Sequence, residues 1–134
     1  MCNVAELNIA GRKCVALIDS GAVVSLVKPS VAQGFKIRRT EDTLVDIQGK
    51  RIPSVGEVLL PLSFKGSVCV KHNFIVIDTD SFRADLLIGL DFLHKYGIKI
   101  DWGDEYMFAF EEQIPLGDQW PAASGRNSSN LWRG

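Results

Sequence analysis

The stretch VALIDSGAVVSL, residues 15–26, decides how the rest of the chain reads. Four apolar residues, Val15 to Ile18, run straight into Asp19, and Ser20 and Gly21 follow at once. An ionised carboxylate among apolar neighbours is costly unless something pairs with it or uses it. Asp, Ser and Gly are also strong turn formers, so the triplet by itself reads as an Asx-turn between two strands. Its surroundings separate the two readings.

Working outward, short apolar stretches alternate with turn residues, the pattern of an all-β domain. VAELNIA and KCVALI flank AGRK, which reads as a hairpin turn, and VVSLV follows the triplet. Pro29 is placed to open one helical turn and Gly34 to stop it. TLVDI, the turn around Gly49 and RIPSVGEVLLPLSF read as a long hairpin, and SVCVKHNFIVI alternates like a half-buried strand. Leu86 to Ile88 form a short apolar run broken by Gly89. Leu90, Phe92, Leu93 and Tyr96 then share one face of a short helix that ends at Gly97. IKIDW and YMFAF pair around GDE as a last hairpin. From Glu112 onward the chain is rich in Gly, Pro, Ser and Asn without periodicity. The expected division is therefore a domain over residues 1–111 and a flexible tail over 112–134.

The 134 residues suit one domain, and 46% hydrophobic with 23% charged residues is an ordinary globular balance. A net charge of −1 provides no electrostatic footprint for nucleic acid, and no apolar run reaches the ~18 residues of a membrane span. No signal peptide is expected before the first strand. Cys2, Cys14 and Cys69 are odd in number and lack a Cys-x-x-Cys spacing, which argues against a disulfide framework and a zinc site. Reduced thiols in a cytoplasmic protein are the expectation. His72 and His94 read as surface histidines, and no metal or other cofactor is implied.

The chain resembles the retropepsin-like aspartic proteases of retroviruses, retrotransposons and some cellular proteins. The residues that carry the likeness are Leu17 to Ala22, Ser25 on the strand beyond, the glycine-tipped hairpin at Gly49, and Leu87-Ile88-Gly89 ahead of the helix. GLDFLHKYGIKIDW is especially similar to the end of this domain in long-terminal-repeat retrotransposons. The likeness covers roughly residues 3 to 111. It implies a mostly β half-barrel with one short helix after Gly89, acting as a symmetric homodimer on a polypeptide substrate, its own polyprotein being one candidate.

The implied chemistry accounts for Asp19. Two carboxylates face each other across one water, and like charges about 3 Å apart cannot both ionise, so the pair shares a proton. One member takes a proton from water and the other gives one to the carbonyl oxygen. The chain carries a single Asp-Ser-Gly and no Asp-Thr-Gly, so a dyad requires Asp19 from two chains. Ser20, Gly21 and Ala22 would support the loop, Gly21 by permitting close backbone approach. Val23, Val24, Ile47, Gln48, Gly49, Ile52 and Ile88 are the expected substrate contacts. From local sequence alone Gly49 reads as an ordinary hairpin turn residue, its flap role coming only from the resemblance, and Ile47 and Ile52 read equally as packing residues. Val23 and Val24 stand where many retroviral enzymes carry acidic residues, which leaves a more apolar pocket. Asp91 suits the start of a helix, Asp85 a basic partner, and Trp102 the core or an interface. A dimer that holds peptides without cleaving them, or an unrelated small β-barrel, are the competing readings.

Overall fold

The structure is a computed structural model that describes residues 3–40, 43–45, 49 and 51–117. The chain opens with β1 (Val4–Ile9) and β2 (Arg12–Ile18), joined in register at Ile9↔Arg12. The two turn residues, Ala10 and Gly11, both have positive φ, the turn geometry whose twist matches a hairpin. After the Asp-Ser-Gly triplet come β3 (Leu26–Val27) and α1 (Pro29–Ala32), a single turn with proline at its start. Then follow β4 (Ile37–Arg38), β5 (Thr43–Val45), β6 (Arg51–Pro53), β7 (Gly56–Ser63) and β8 (Cys69–Val76). The chain continues with β9 (Leu86–Ile88) and α2 (Leu90–Lys95). It closes with β10 (Lys99–Asp101), β11 (Tyr106–Ala109) and β12 (Glu112–Pro115).

Seven strands form one sheet in the order β1-β2-β9-β3-β8-β7-β4, and a pairing of Asn8 with Ser63 joins β1 back to β7. The sheet thus curls on itself, as a mostly β, retropepsin-like fold requires. Strands β5 and β6 pair separately as an arm, with Gly49 at positive φ between them. The expected long hairpin is therefore two: this arm, and β7 with β8.

Alternation along β2 and β9 separates two apolar clusters. Cys14, Ala16 and Ile18 face the main core with Leu86, Ile88, Phe74 and Phe92. Leu17 and Leu87 point the other way, into a smaller cluster with Ala22, Leu26, Ile77, Phe82 and Ala84. A strand buried on both faces reads as a continuous apolar run, and β9 is one. Cys14 and Cys69 are free thiols. Burial, reinforced by the Asp85 charge, pushes the Cys14 thiol up from its ordinary pKa. No described helix is long and apolar enough to cross a membrane.

The expected boundary after Glu111 is not where the fold ends. β12 pairs with β11, Ile114 and Leu116 enter the main core, and Gly117 exchanges backbone hydrogen bonds with Val4. The turn that makes this hairpin is Phe110-Glu111, both at positive φ, without the Asn-Gly chemistry that announces such a turn. The Phe110 ring lies against Phe64 and Tyr96, which fixes the turn by tertiary packing. The expected tail from residue 118 lies outside the described residues. Each fully buried aliphatic side chain contributes about 1.5–3 kcal/mol. A chain cut after Glu111 is therefore expected to unfold at clearly lower urea concentration than one cut after Gly117. Equal midpoints for the two would show β12 to be dispensable.

Candidate active site

Parallel pairing of β2 with β9 sets Ala16, Leu17 and Ile18 beside Leu86, Leu87 and Ile88. Both strands therefore end at the same level, and the residues that follow them, Asp19 and Gly89, emerge side by side. The Asp19 amide donates to the Ile88 carbonyl at 3.0 Å. Residues 22 and 23 then turn back over the start of α2. The Leu90 amide donates to the Ala22 carbonyl at 2.8 Å, and that of Asp91 to Val23 at 3.2 Å. Two motifs about seventy residues apart in sequence become one backbone knot.

Gly89 is required by the tightness of this crossing. A Cβ there would lie 2.5 Å from the Val24 carbonyl oxygen and 2.9 Å from that of Ala22. No real Cβ tolerates such contacts with backbone, so any side chain at 89 would force the two segments apart.

Asp19 is buried, with 6% of its surface exposed. Its Oδ1 accepts the Gly21 amide at 2.8 Å, and its carbonyl accepts the Ala22 amide at 3.1 Å. The Asx-turn expected of the bare triplet is thus present, and it aims a buried carboxylate at the end of two strands. Ser20 is exposed and Ala22 is fully buried in the smaller cluster. Val23 is 52% exposed, while Val24 and Ile52 pack partly against the smaller cluster. Ile52 lies at the base of the β5–β6 arm, beside a cleft it lines with Arg51, Pro53 and residues 78–81. Gly49 is exposed, and Ile47 and Gln48 lie outside the described residues. Ile88 does not sit where a substrate could touch it: its side chain points from β9 into the main core and is fully buried.

Ser25, Asp91 and His72 form a second polar group beneath this knot. Ser25 Oγ donates to Asp91 Oδ1 at 2.6 Å and accepts the Gly89 amide at 2.9 Å. The Ser25 amide donates to Asp91 Oδ2 at 3.2 Å, and the Phe92 amide to Oδ1 at 2.8 Å. His72 Nε2 lies 3.1 Å from Asp91 Oδ2. His72 is therefore not a surface residue: its place in β8 turns it inward among Phe74, Phe92 and Tyr96. His94 is exposed as expected. Sequence reasoning missed His72 because its signal, an inward position in an alternating strand, is the same one an apolar residue gives. Asp91 does more than favour a helix start, since it ties α2 to Ser25, just ahead of β3, and to β8.

Asp85 accepts the Val15 amide at 2.8 Å, and its charge acts on Lys28. Burial nevertheless keeps the Lys28 ammonium below its ordinary pKa against the pull of Asp85 and Asp80. Trp102 is exposed rather than in the core.

An aspartyl protease family model matches residues 5–92. The chain belongs to the retropepsin-like aspartyl protease family. It is 31% identical over 99 residues to a retrovirus-related Pol polyprotein from transposon 412 of Drosophila melanogaster, covering 71% of this chain and 8% of that protein. It is 28% identical over 114 residues to DNA damage-inducible protein 1 of Neurospora crassa, covering 83% and 26%. The chain thus spans well under a third of the curated relatives it matches. Among solved structures, the retroviral protease-like domain of Ddi1 from Leishmania major superposes with a TM-score of 0.66 at 21% identity, over 87% of this chain and 90% of that one. The EIAV protease complexed with the inhibitor HBY-793 gives 0.57 at 16%, over 70% and 86%.

Burial by itself would raise the Asp91 pKa, but hydrogen bonds from His72 and Ser25 and the influence of His72 charge outweigh it, and the carboxyl is held below its ordinary value. The folded chain therefore favours the ionised form. That stability is fully present above the unfolded-state pKa, near 4 by the usual value for Asp, and is lost as pH falls through the folded one. Urea midpoints measured from neutral pH downward are expected to fall more steeply below about pH 4 for the wild type than for Asp91→Asn. Identical slopes would remove Asp91 from the acid limb.

Proposed function

We propose that the chain is an aspartic endopeptidase that works as a symmetric homodimer, with Asp19 from each of two chains forming the catalytic pair. The observation that carries this reading is the buried Asp19 at the joint end of β2 and β9, its carboxylate oriented by the Gly21 amide. The chain has one Asp-Ser-Gly triplet, so a pair of such carboxylates takes two copies of the chain. A second copy supplies the missing acid.

In the pair, one carboxylate is ionised and the other protonated, because the two charges repel at close range. The ionised member removes a proton from the bridging water as that water attacks the peptide carbonyl. The protonated member hydrogen-bonds and then protonates the carbonyl oxygen, giving a neutral gem-diol. Collapse of the gem-diol, with a proton delivered to the leaving nitrogen, breaks the C–N bond. The titration belongs to the pair rather than to either residue. Backbone bonds at Asp19, Ala22 and Val23 hold the loop, and the Gly21 amide orients the carboxylate before substrate arrives.

The β5–β6 arm with Gly49 at its turn acts as a flap that closes over the peptide and excludes water. Exposed Val23 beside the loop and Ile52 at the flap base favour apolar side chains around the scissile bond. The likeness to a transposon Pol polyprotein supports processing of a polyprotein as the biological task.

Cleavage of a peptide library is expected to disappear in Asp19→Asn while the circular dichroism spectrum is unchanged. Specific activity is expected to fall on dilution as dimers dissociate. An Asp19→Asn protein with wild-type turnover, or activity proportional to protein at every concentration of a sedimenting monomer, would overturn the mechanism. Val23→Asp places a charge where an apolar side chain would otherwise gain about 1.5–3 kcal/mol on burial. It is expected to raise KM for peptides with apolar residues flanking the cut. An unchanged substrate profile would move Val23 out of the cleft.

A further inference from the structure

One buried titratable group has no part in the chemistry proposed for Asp19. His72 is 6% exposed, in the middle of β8, with Phe74, Phe92 and Tyr96 packed edge-on around its ring at centroid distances of 5.3, 5.0 and 5.9 Å. A ring needed only to fill this space could be phenylalanine, like Phe74 and Phe92 beside it. Imidazole brings one further capacity, a directed N–H.

That N–H has a defined target. A carboxylate accepts only, so the proton on the short contact belongs to His72 Nε2, which donates to Asp91 Oδ2. Nδ1 is buried without a hydrogen-bond partner. A buried polar atom left unmatched is tolerated when its ring partner makes a bond worth more, here one to a charged acceptor. Asp91 then passes the constraint on: its two oxygens fix both the amide and the hydroxyl of Ser25. Ser25 Oγ in turn fixes the Gly89 amide, and the peptide before it presents the Ile88 carbonyl to the Asp19 amide.

We infer that His72 is a positioning residue for the Asp19 loop, acting through Asp91 and Ser25 on the Gly89 turn; this rests on the reading of Asp19 as the catalytic acid. The chain of bonds runs from β8, a long strand of the main sheet, through Asp91 and Ser25 to the Gly89 turn beside the Asp19 loop. Without the His72 donor, the Asp91 carboxylate keeps its three donors from Ser25 and Phe92 but loses its tie to β8, so the Ser25–Asp91 pair can shift against the sheet. Ser25 and Gly89 then lose their fixed register. A displacement of a fraction of an ångström at a reacting carboxylate lowers turnover more than it lowers binding.

The test compares His72→Gln with His72→Met, side chains of similar length of which only the first carries an N–H donor. Three readouts are needed: kcat and KM on a cleaved peptide, hydrogen exchange at the Gly89 and Asp19 amides, and exchange at Leu7 in β1 as a remote reference. His72→Met is expected to lower kcat about tenfold with KM nearly unchanged. It is also expected to speed exchange at Gly89 and Asp19 but not at Leu7. His72→Gln is expected to restore both towards wild type. Equal behaviour of the two variants, or faster exchange at all three amides together, would reduce His72 to packing and overturn the inference, as would failure of both to fold. A wild type without Asp19-dependent cleavage would sink the catalytic reading instead, and the exchange comparison would still decide the role of His72.

Discussion

Everything at the site depends on three parallel register pairs between β2 and β9. Parallel neighbours end at the same edge of a sheet, so whatever follows each strand is delivered to one place. Here β2 delivers the Asp19 loop and β9 delivers Gly89 and α2. β9 is only Leu86–Ile88, yet it is flanked on both sides, by β2 and by β3, and all three of its side chains are buried. A strand so short is held by its neighbours and by apolar burial on two faces rather than by its own propensity. Loss of one residue's register there would send Leu87 into the wrong cluster and carry Gly89 away from the Ala22 and Val24 carbonyls.

Aspartates bracket this strand at both ends and do different work. Asp85, ahead of it, accepts the Val15 amide with its side chain while its own amide donates to the Val15 carbonyl. Asp91, behind it, is saturated by donors from Ser25, Phe92 and His72. Both therefore tie neighbouring segments together through their side-chain oxygens. Asp19 stands at the end of the adjacent strand, where its Oδ1 accepts the Gly21 amide.

The two apolar clusters explain how a small domain keeps such a site rigid. The main core carries the bulk of the burial and includes α2 through Phe92 and Leu93. The smaller cluster lies under the loop and the base of the arm, joining Ala22 and Val24 to Ile52, Ile77 and Phe82. The aromatic group of Phe64, Phe92, Tyr96 and Phe110 then ties α2 to the last hairpin. The last strand is accordingly part of the structure that supports the site from behind.

Sequence alone determined the mostly β character, the two short helices and the placement of Asp19 and Gly89, because each has a local cause: alternation, a proline start, a glycine stop, an acid closing an apolar run. It also determined that one chain has one such acid. Four features were decided only by tertiary structure. The Phe110-Glu111 turn has no turn chemistry of its own and is held by contacts with Phe64 and Tyr96. Ile88, expected as a substrate contact, belongs to the core, because only pairing with β2 reveals which face of β9 it shares. His72 was read as a surface side chain, since nothing adjacent in sequence shows that Asp91 and Ser25 lie opposite it. The Asp19–Gly89 crossing itself brings together residues some seventy positions apart, and a contact of that span exists only once the sheet has closed.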